Sequence, residues 1–238
     1  MYNIHIVGAG SLGSTISIEI ARRALALSFP LELCLYDYDE VEERNVVAQA
    51  FLPSHIGMKK VDAVYSMLEG FTNVEVSTFD IKIGKKNNLK ELNEQSIIID
   101  CVDNIPTRQL LWKLGVIYAV PVIHVGMSEK GSGYVQWNYT KEETDIDTFH
   151  LSPTHFKVKN SGEKKGEEDI KLPPCELNSM RTLILNTSMA AVNSLFIFLG
   201  MDISSFSSKG KKGTITNWVT DLYRLSPVPE LEINTSWQ

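Results

Sequence analysis

A glycine-rich turn near the start of the chain constrains the fold more than any other feature of the sequence. The segment GAGSLG, residues 8–13, directly follows an apolar run at 3–7 and opens a helical pattern. In such a strand–turn–helix unit the first glycine, Gly8, permits a tight turn, and the second, Gly10, lets backbone N–H groups approach a phosphate. The third, Gly13, allows close helix packing, and the helix N-terminus favours the anion. These glycines predict a nucleotide site without separating NAD from ATP.

Short apolar runs alternate with helical patterns along the rest of the first half. The predicted elements are, in order, a helix at 12–27, a strand at 31–36, a helix at 61–68, strands at 74–79 and 97–100, a helix at 107–118 and a strand at 120–125. Nearly continuous apolar strands that alternate with helices indicate a parallel sheet covered on both faces. We therefore predict a Rossmann-like α/β fold with a doubly wound, mainly parallel sheet.

The pattern changes after Gly126. The predicted segments there are an antiparallel strand at 133–139, a mobile polar loop at 157–171, a long helix at 179–199 and late strands at 214–219 and 222–225. The strands would extend the sheet in its second half. We expect a single domain over residues 1–238, with a nucleotide-binding half at 1–126 and a sheet extension, mobile loop and long helix at 127–238.

Composition narrows the function classes and the compartment. The net charge is −6, which makes nucleic acid an unfavourable partner because phosphate binding needs Lys and Arg. The three cysteines, Cys34, Cys101 and Cys175, form no CxxC pair. We therefore expect neither a disulfide framework nor a tetrathiolate zinc site. The chain does not open with a charged segment followed by an apolar one, so we expect no signal peptide and a cytoplasmic protein.

The most apolar stretch, residues 183–201, is long enough to raise the question of a membrane span. Polar residues interrupt it at Asn186, Thr187, Ser188, Asn193 and Ser194. Such groups are costly in lipid. The stretch therefore predicts a buried core helix, and we expect no membrane partner.

Acidic residues follow the second predicted strand, where nucleotide-binding folds recognise ribose. The strand ends in YDYD, residues 36–39, and Asn45 follows in the next loop. A carboxylate at this place accepts hydrogen bonds from ribose hydroxyls, which assigns Asp37 to the nucleotide. An ordinary NAD site needs only one such carboxylate, so the additional polar residues Asp39 and Asn45 indicate a nucleotide site that differs from an ordinary NAD site. The alternative is a polar loop that merely follows a strand.

Two further motifs fall at the carboxyl ends of predicted strands, where ligands of open α/β sheets bind. IGMKK, residues 56–60, places cations before a helix, and CVDN, residues 101–104, is followed by Arg108. A carboxylate that attacks the α-phosphate of ATP needs cations and a metal ion to neutralise charge, and acids to hold that metal. We assign Lys60 to the phosphates and Asp103 to Mg²⁺. A dehydrogenase has no need for this combination.

These motifs, taken in order, resemble the adenylation domain of the ThiF/MoeB/HesA-like family, which includes ubiquitin-activating enzymes. The resemblance covers residues 2–126 and is weaker through residue 199. It implies MgATP-dependent adenylation of the C-terminal glycine of a ubiquitin-like or sulfur-carrier protein, carried out by a homodimer. The residue roles that it implies are ribose binding by Asp37, shaping of the nucleotide pocket by Asp39, ATP contacts by Asn45 and Lys60, and metal binding by Asp103.

The sequence departs from the family pattern at the motif NLxRQ, which reads NVVAQ here. Ala48 stands where the family has arginine, and Arg44 is the nearby candidate to direct a cation at the triphosphate. The family pattern also includes an N-terminal helix that brings a second arginine to the partner protomer, and we expect no counterpart of that helix before the first strand. The zinc-binding CxxC pairs of many relatives have no counterpart either, so we expect no structural zinc.

Cys175 resembles the crossover-loop cysteine that takes the acyl group as a thioester in some activating enzymes. It precedes the predicted long helix, and a helix N-terminus lowers the pKa of a thiol and favours the nucleophilic thiolate. The alternative is an incidental loop cysteine. Cys34, Cys101 and His124 are interpreted as core residues.

Two rival functions stay open. One is a non-catalytic subunit that binds a ubiquitin-like protein or a catalytic partner, which Ala48 favours. The other is an NAD-dependent oxidoreductase, supported by the glycine turn alone, which leaves Asn45, Lys60 and Asp103 unexplained.

Overall fold

The computed structural model describes residues 1–84, 88–127, 132–138, 174–200 and 218–221. Its elements follow the order β1 (Tyr2–Val7), α1 (Ser11–Ala24), β2 (Leu31–Tyr36), α2 (Glu43–Ala48), α3 (Lys60–Leu68), β3 (Val74–Phe79), β4 (Ser96–Asp100), α4 (Ile105–Tyr118), β5 (Val122–Met127), β6 (Ser132–Asn138), α5 (Pro174–Phe198) and β7 (Trp218–Asp221). A 3-10 turn, Pro53–His55, lies between α2 and α3. The predicted polar loop at 157–171 lies outside the described residues.

A seven-stranded sheet in the order β3-β2-β1-β4-β5-β6-β7 forms the centre of the fold. The strands from β3 to β5 pair in parallel, whereas β6 pairs antiparallel with both β5 and β7. The strand order reverses between β1 and β4, which opens a crevice at the carboxyl ends of these strands. The predicted Rossmann-like sheet with an antiparallel extension is confirmed.

Apolar side chains pack on both faces of the sheet. In β1, Ile4 and Ile6 join the cluster that includes residues of α1, α3 and α5. Val7 joins a second cluster, which includes Leu111 and Leu114 of α4. Successive side chains of a strand point to opposite faces. A strand covered on both sides therefore needs apolar residues at almost every position, as the sequence shows.

The long helix α5 is a core element, as its sequence predicts. Ala191, Val192 and Leu195 are fully buried, and the helix packs against α1, β5 and β6. Its polar positions Thr187 and Ser188 are buried as well. No helix in the described part of the chain is both long and apolar enough to cross a membrane.

Helix boundaries differ from the predicted ones for local reasons. Helix α1 ends at Ala24, three residues earlier than predicted, where Leu27 N–H donates to the Ala24 carbonyl in a tight turn. Helix α4 begins at Ile105 because Asn104 caps it: the Asn104 side chain accepts a 3.0 Å hydrogen bond from Thr107 N–H. Helix α5 begins at Pro174 instead of 179, which agrees with the preference of proline for a first helical position.

Two elements differ more clearly from the prediction. Strand β7 runs from Trp218 to Asp221, across the break predicted between 214–219 and 222–225, and the other residues of both predicted strands are not described. Helix α2 has only six residues and no buried face. It therefore lacks the apolar periodicity that would predict a helix.

Candidate nucleotide-binding site

A cavity of about 400 Å³ lies at the carboxyl ends of the central strands. Its lining includes six of the residues that the sequence assigns to the site, namely Gly8, Gly10, Asp37, Asp39, Lys60 and Asp103. These residues come from four separate segments of the chain. The fold therefore brings these six predicted residues together in one place, at the crevice where α/β sheets bind ligands.

The three glycines of the turn serve different purposes. Gly8 has φ +93°, a conformation that L side chains rarely adopt, and an added Cβ would lie 2.9 Å from the Cys101 carbonyl oxygen. At Gly13 a Cβ would lie 1.8 Å from the Gly8 carbonyl oxygen, so the helix could not pack on the turn. At Gly10 an added Cβ would meet no protein atom within 4 Å. Gly10 therefore keeps space open in the cavity, which suits the close approach of a phosphate.

Asp37 joins the glycine turn to the end of β2. Its Oδ2 atom accepts a 2.7 Å hydrogen bond from Ala9 N–H, and its Oδ1 atom accepts a 2.9 Å bond from Asp39 N–H. Burial raises the pKa of Asp37 above its usual value, against the lowering effect of these two backbone donors. Each carboxylate oxygen has a second lone pair, so Asp37 can still accept hydrogen bonds from ribose hydroxyls.

The two adjacent lysines of IGMKK take different directions. Lys60 is 8% exposed and lines the cavity, and its Nζ atom lies 2.8 Å from Asp39 Oδ2. Lys59 instead pairs with Glu40 at 3.3 Å and Asp80 at 3.5 Å, and it does not line the cavity. Of these two lysines, the structure brings only Lys60 to the cavity.

Asp103 lies in the short connection between β4 and α4, at the cavity wall, and is solvent-exposed. Within the described residues no group of three or more His, Cys, Asp or Glu side chains could hold a metal ion. Mg²⁺ commonly binds through one or two carboxylates together with substrate phosphates and water. An exposed carboxylate in the same cavity as the glycine-rich turn therefore fits Mg²⁺ bound together with a nucleotide.

A buried ion-pair cluster lies under the cavity and was not predicted as a unit. Asp100, fully buried, accepts hydrogen bonds from Arg108 Nη1 at 3.2 Å and His124 Nδ1 at 2.6 Å. Arg108 Nη2 also donates to the carbonyls of Val102 and Val125. Arg108 thus holds the ends of β4 and β5 together beneath the site. The interpretation of His124 as a core residue is confirmed.

Arg44 and Asn45 do not line the cavity. Arg44 is 67% exposed and its Nε atom pairs with Glu42 at 2.6 Å. The Asn45 side chain accepts a 2.8 Å hydrogen bond from Glu42 N–H, which closes the first turn of α2. From this segment only Gln49 lines the cavity.

The cavity also contains residues that the sequence motifs missed. Lys82 Nζ lies 4.9 Å from the centre of the Tyr38 ring, and both residues line the cavity. Tyr134 of β6 covers Gly126, where an added Cβ would lie 2.4 Å from the tyrosine hydroxyl. Burial raises the pKa of Tyr134. The sequence signal that could have identified Tyr134 is the small residue Gly126 in one strand and an aromatic residue in the alternating strand that follows. The segment that contains Lys82 carries no comparable signal.

The cysteines divide into two groups. Cys34 is buried in β2, and burial raises its pKa to about 12. Burial likewise raises the pKa of Cys101, which follows β4. Neither thiol is suited to nucleophilic chemistry, and the interpretation of both as packing residues is confirmed.

Cys175 was predicted to precede the long helix; this prediction is wrong, because Cys175 lies in the first turn of α5. Its side chain is not among those described.

The fold and the site together define an α/β protein in which a glycine-rich turn, an acid after β2, a buried lysine and an exposed acid after β4 line one cavity. The sequence matches the ThiF family over residues 1–209. The chain belongs to this family.

Curated relatives support the assignment over part of the chain. The adenylyltransferase and sulfurtransferase MOCS3 of Aedes aegypti is 31% identical over 123 residues, which cover 51% of this chain and 27% of the relative. The ubiquitin-like modifier-activating enzyme 5 of Oryza sativa subsp. japonica is 29% identical over 150 residues, covering 57% of this chain and 34% of the relative. The match therefore spans only about a third or less of these relatives' length.

Solved structures share the fold at low sequence identity. MccB of E. coli, solved with ATP, has a TM-score of 0.65 and 14% identity, over 97% of this chain and 63% of that one. PaaA has a TM-score of 0.59 and 16% identity, over 98% of this chain and 64% of that one. At these identities the likeness concerns the fold alone.

Proposed function

We propose that this chain is an ATP-dependent adenylyltransferase that activates the C-terminal glycine carboxylate of a ubiquitin-like or sulfur-carrier protein, with residues 1–238 as one adenylation domain. The observation that carries the proposal is the convergence of Gly10, Asp37, Lys60 and Asp103 on one cavity in a member of the ThiF family. Two of its relatives, an adenylyltransferase and sulfurtransferase and a ubiquitin-like modifier-activating enzyme, support the proposal.

In the proposed reaction a carboxylate oxygen attacks the α-phosphorus of ATP. A new acyl–phosphate bond forms, the bond to the β-phosphate oxygen breaks, and pyrophosphate leaves. Asp37 would hold the ribose hydroxyls, and the backbone N–H groups of the turn at 8–13 would face the phosphates. Lys60 would move from Asp39 towards the phosphate oxygens and stabilise the charge that develops on them.

Mg²⁺ would be held by Asp103 together with phosphate oxygens of the nucleotide. A bound Mg²⁺ supplies Lewis-acid neutralisation of the phosphate charge. Asp103 lies three residues after the end of β4 and lines the same cavity as the glycine turn, which supports this role.

The acyl group would approach from the antiparallel side of the sheet. Tyr134 of β6 lines the same cavity as the glycine turn, and it packs over Gly126. A flexible tail that ends in glycine would meet the least steric hindrance here, because glycine has no side chain to place beside the tyrosine ring.

A thioester step at Cys175 would follow adenylation. The Cys175 thiolate would attack the acyl carbonyl, a carbon–sulfur bond would form, and AMP would leave with the bonding electrons. The position of Cys175 in the first turn of α5 supports this step, because a helix N-terminus lowers the pKa of a thiol. We expect the Cys175→Ser variant to lose the thiol-sensitive adduct and to retain pyrophosphate exchange.

A second candidate is a non-catalytic subunit that binds a ubiquitin-like protein or a catalytic partner. It is favoured by Ala48 at the position of the family arginine and by Arg44, whose guanidinium pairs with Glu42 away from the cavity. In that case the chain would bind MgATP or its protein partner and yet support no exchange of pyrophosphate, alone or with a glycine-terminated carrier.

The substitution Asp103→Ala tests the proposed function. We expect it to lower ATP–pyrophosphate exchange by about 10²–10³-fold, the usual loss when a preorganised charge contact is removed. The fold should persist, since Asp103 is exposed. Asp62→Ala, an exposed position in α3, is the matched control and should exchange at the wild-type rate. Full activity of the Asp103→Ala variant would overturn the assignment.

A further inference from the structure

A second cavity, of about 410 Å³, lies at the amino end of β3 and shares no lining residue with the candidate nucleotide cavity. Its volume falls within the range of about 300–1,000 Å³ that is usual for ligand pockets. Most of its lining is apolar or aromatic and comes from the end of α3, the following turn and the start of β3. We call this lining the β3 groove; it consists of Tyr65, Leu68, Glu69, Gly70, Phe71, Val74, Glu75 and Val76.

Strand β3 has one open edge among the described residues, because it is the first strand in the sheet order and pairs only with β2. The N–H and C=O groups of one residue point to the same side of a strand, and the side alternates along the strand. Asp37 N–H donates to the Phe79 carbonyl at 3.3 Å, so the odd-numbered residues of β3 direct their backbone groups towards β2. Val76 and Thr78 therefore direct theirs to the open edge, where no group in the described part of the chain bonds them.

The open edge of β3 lacks the features that usually protect an edge strand. Such strands commonly carry lysine, proline or a bulge, which prevent pairing with another chain. The sequence of β3, VEVSTF, contains neither lysine nor proline, and its pairing with β2 runs in unbroken register from residue 74 to residue 79. An open, regular edge beside an apolar groove is the arrangement that binds extended peptides by strand addition.

The charge around the β3 groove is negative. Glu69 and Glu75 are exposed, no cation lines the groove, and neither carboxylate forms an ion pair with a described residue. Lys90, whose pKa is raised by its hydrogen bond to Glu32 and to a smaller extent by the charge of Glu75, pairs with Glu32 instead. Glu69 is also the C-cap of α3, where the helix dipole adds negative charge. The groove therefore favours a basic partner, and the net charge of −6 disfavours a second copy of this chain.

We propose that the β3 groove and the open edge of β3 bind an extended protein segment in which apolar and basic residues alternate, as an added strand of the sheet. Successive side chains of a strand point to opposite faces. Val74 and Val76 pack against the core cluster that includes residues of α3, so the apolar residues of the added strand enter the groove on that face. The basic residues lie on the other face, beside Glu75. The inference does not depend on the proposed ATP chemistry.

Binding of a labelled peptide to the full-length chain tests the proposal. The probe is a peptide as long as β3 in which lysine and valine alternate. It carries an N-terminal fluorophore and a C-terminal carboxamide, so it offers no carboxylate for adenylation. One control peptide has the same composition with all lysines before all valines, and another alternates glutamate with valine. We expect saturable binding of the probe in fluorescence anisotropy, at least about tenfold tighter than binding of either control.

Matched variants separate backbone pairing from charge. Thr78→Pro removes an N–H group at the open edge and leaves the bonds to β2 in place, and we expect it to weaken probe binding by about tenfold. Thr78→Ala keeps this N–H group and should bind within about twofold of wild type. The double variant Glu69→Gln/Glu75→Gln should lose about fivefold in affinity. Added salt should weaken binding to wild type more than binding to the double variant.

Several outcomes would overturn the proposal. These are no binding of the probe, equal affinity for either control peptide, and a Thr78→Pro variant that is folded by circular dichroism and binds as tightly as wild type. If Thr78→Pro does not fold, equal probe affinity of wild type and the glutamine double variant would overturn it. Saturating MgATP should leave the probe affinity within about twofold; a larger loss would place the peptide in the nucleotide cavity and overturn the assignment to β3.

Discussion

The Nζ atom of Lys60 lies 2.8 Å from Asp39 Oδ2, and both side chains line the cavity. A phosphate that binds Lys60 must therefore compete with a carboxylate already in place. Asp39 is about half exposed, at 47%, so its partner can be exchanged without leaving a buried charge unpaired. The ion pair holds the Lys60 side chain at the cavity. An anion must bind Lys60 more strongly than Asp39 does in order to displace the Asp39 carboxylate.

The two lysines of IGMKK should differ sharply when substituted. We expect Lys60→Ala to reduce ATP–pyrophosphate exchange by about 10²–10³-fold, because under the proposed function it removes the cation that would face the developing phosphate charge. Lys59→Ala removes the ion pairs with Glu40 and Asp80 and a hydrogen bond to the Tyr38 carbonyl, all of them outside the buried core, and its activity should stay within about threefold of wild type. Comparable losses in the two variants would contradict the assignment of Lys60.

Substitutions at two glycines of the turn should affect different properties, namely the free energy of unfolding at Gly13 and the MgATP affinity at Gly10. Gly13→Ala places a Cβ 1.8 Å from the Gly8 carbonyl oxygen, so we expect a loss of about 3 kcal/mol in the free energy of unfolding. Gly10→Ala meets no protein atom within 4 Å and should unfold close to wild type while losing MgATP affinity. Denaturant unfolding and nucleotide titration of both variants check this. A stable Gly13→Ala protein, or a Gly10→Ala protein with normal affinity, would contradict it.

His5 should make the fold sensitive to mild acid. It is fully buried, and its Nδ1 atom lies 3.0 Å from the Tyr36 hydroxyl. Desolvation by burial lowers the pKa of His5 from 6.5 to about 4. Between these values the unfolded chain binds a proton that the folded chain does not. The stability is therefore complete above pH 6.5 and falls as the pH drops towards 4, by up to about 3 kcal/mol.

Urea unfolding of wild type and His5→Gln between pH 7.5 and pH 4.5 measures this contribution. The variant loses the titrating group, so its stability should fall less steeply with acidification, whatever its stability at pH 7.5. Identical slopes for the two proteins would show that His5 does not have the lowered pKa.

Arg108 should matter for stability more than for binding. Arg108→Met leaves the fully buried Asp100 without its guanidinium, and loss of one partner of a buried ion pair costs about 3–5 kcal/mol. The double variant with Asp100→Asn should regain part of that loss. Thermal and denaturant unfolding of the single and double variants give the coupling energy. A coupling energy near zero would contradict the structural role of the pair.

The sequence predicts the fold well where local patterns decide the structure. The apolar runs of β1, β2 and β4 and the turn at 8–13 carry strand and turn information within a few residues, so the parallel sheet and its phosphate turn follow directly. Helix α2 shows the limit of this approach. It has no buried face, and its first turn is closed by a contact between Asn45 and Glu42.

The site could be predicted as a set of positions but not as a set of contacts. The motifs identify Asp37, Lys60 and Asp103, and the structure brings all three to one cavity. The pairing of Asp100 with His124 depends on the neighbouring register of β4 and β5, which no motif encodes. The contact of Arg181 with Gln49 depends on the packing of α5, far along the chain.

ATP–pyrophosphate exchange by the wild-type protein tests the central claim most directly. The assay would use a peptide ending in Gly-Gly with a free carboxylate, and the same peptide with a C-terminal carboxamide as the matched control. Adenylation requires the carboxylate oxygen as nucleophile, so the account predicts exchange with the free acid and background exchange with the amide. Measurable MgATP binding without exchange for either peptide, or for any glycine-terminated carrier protein, would contradict it.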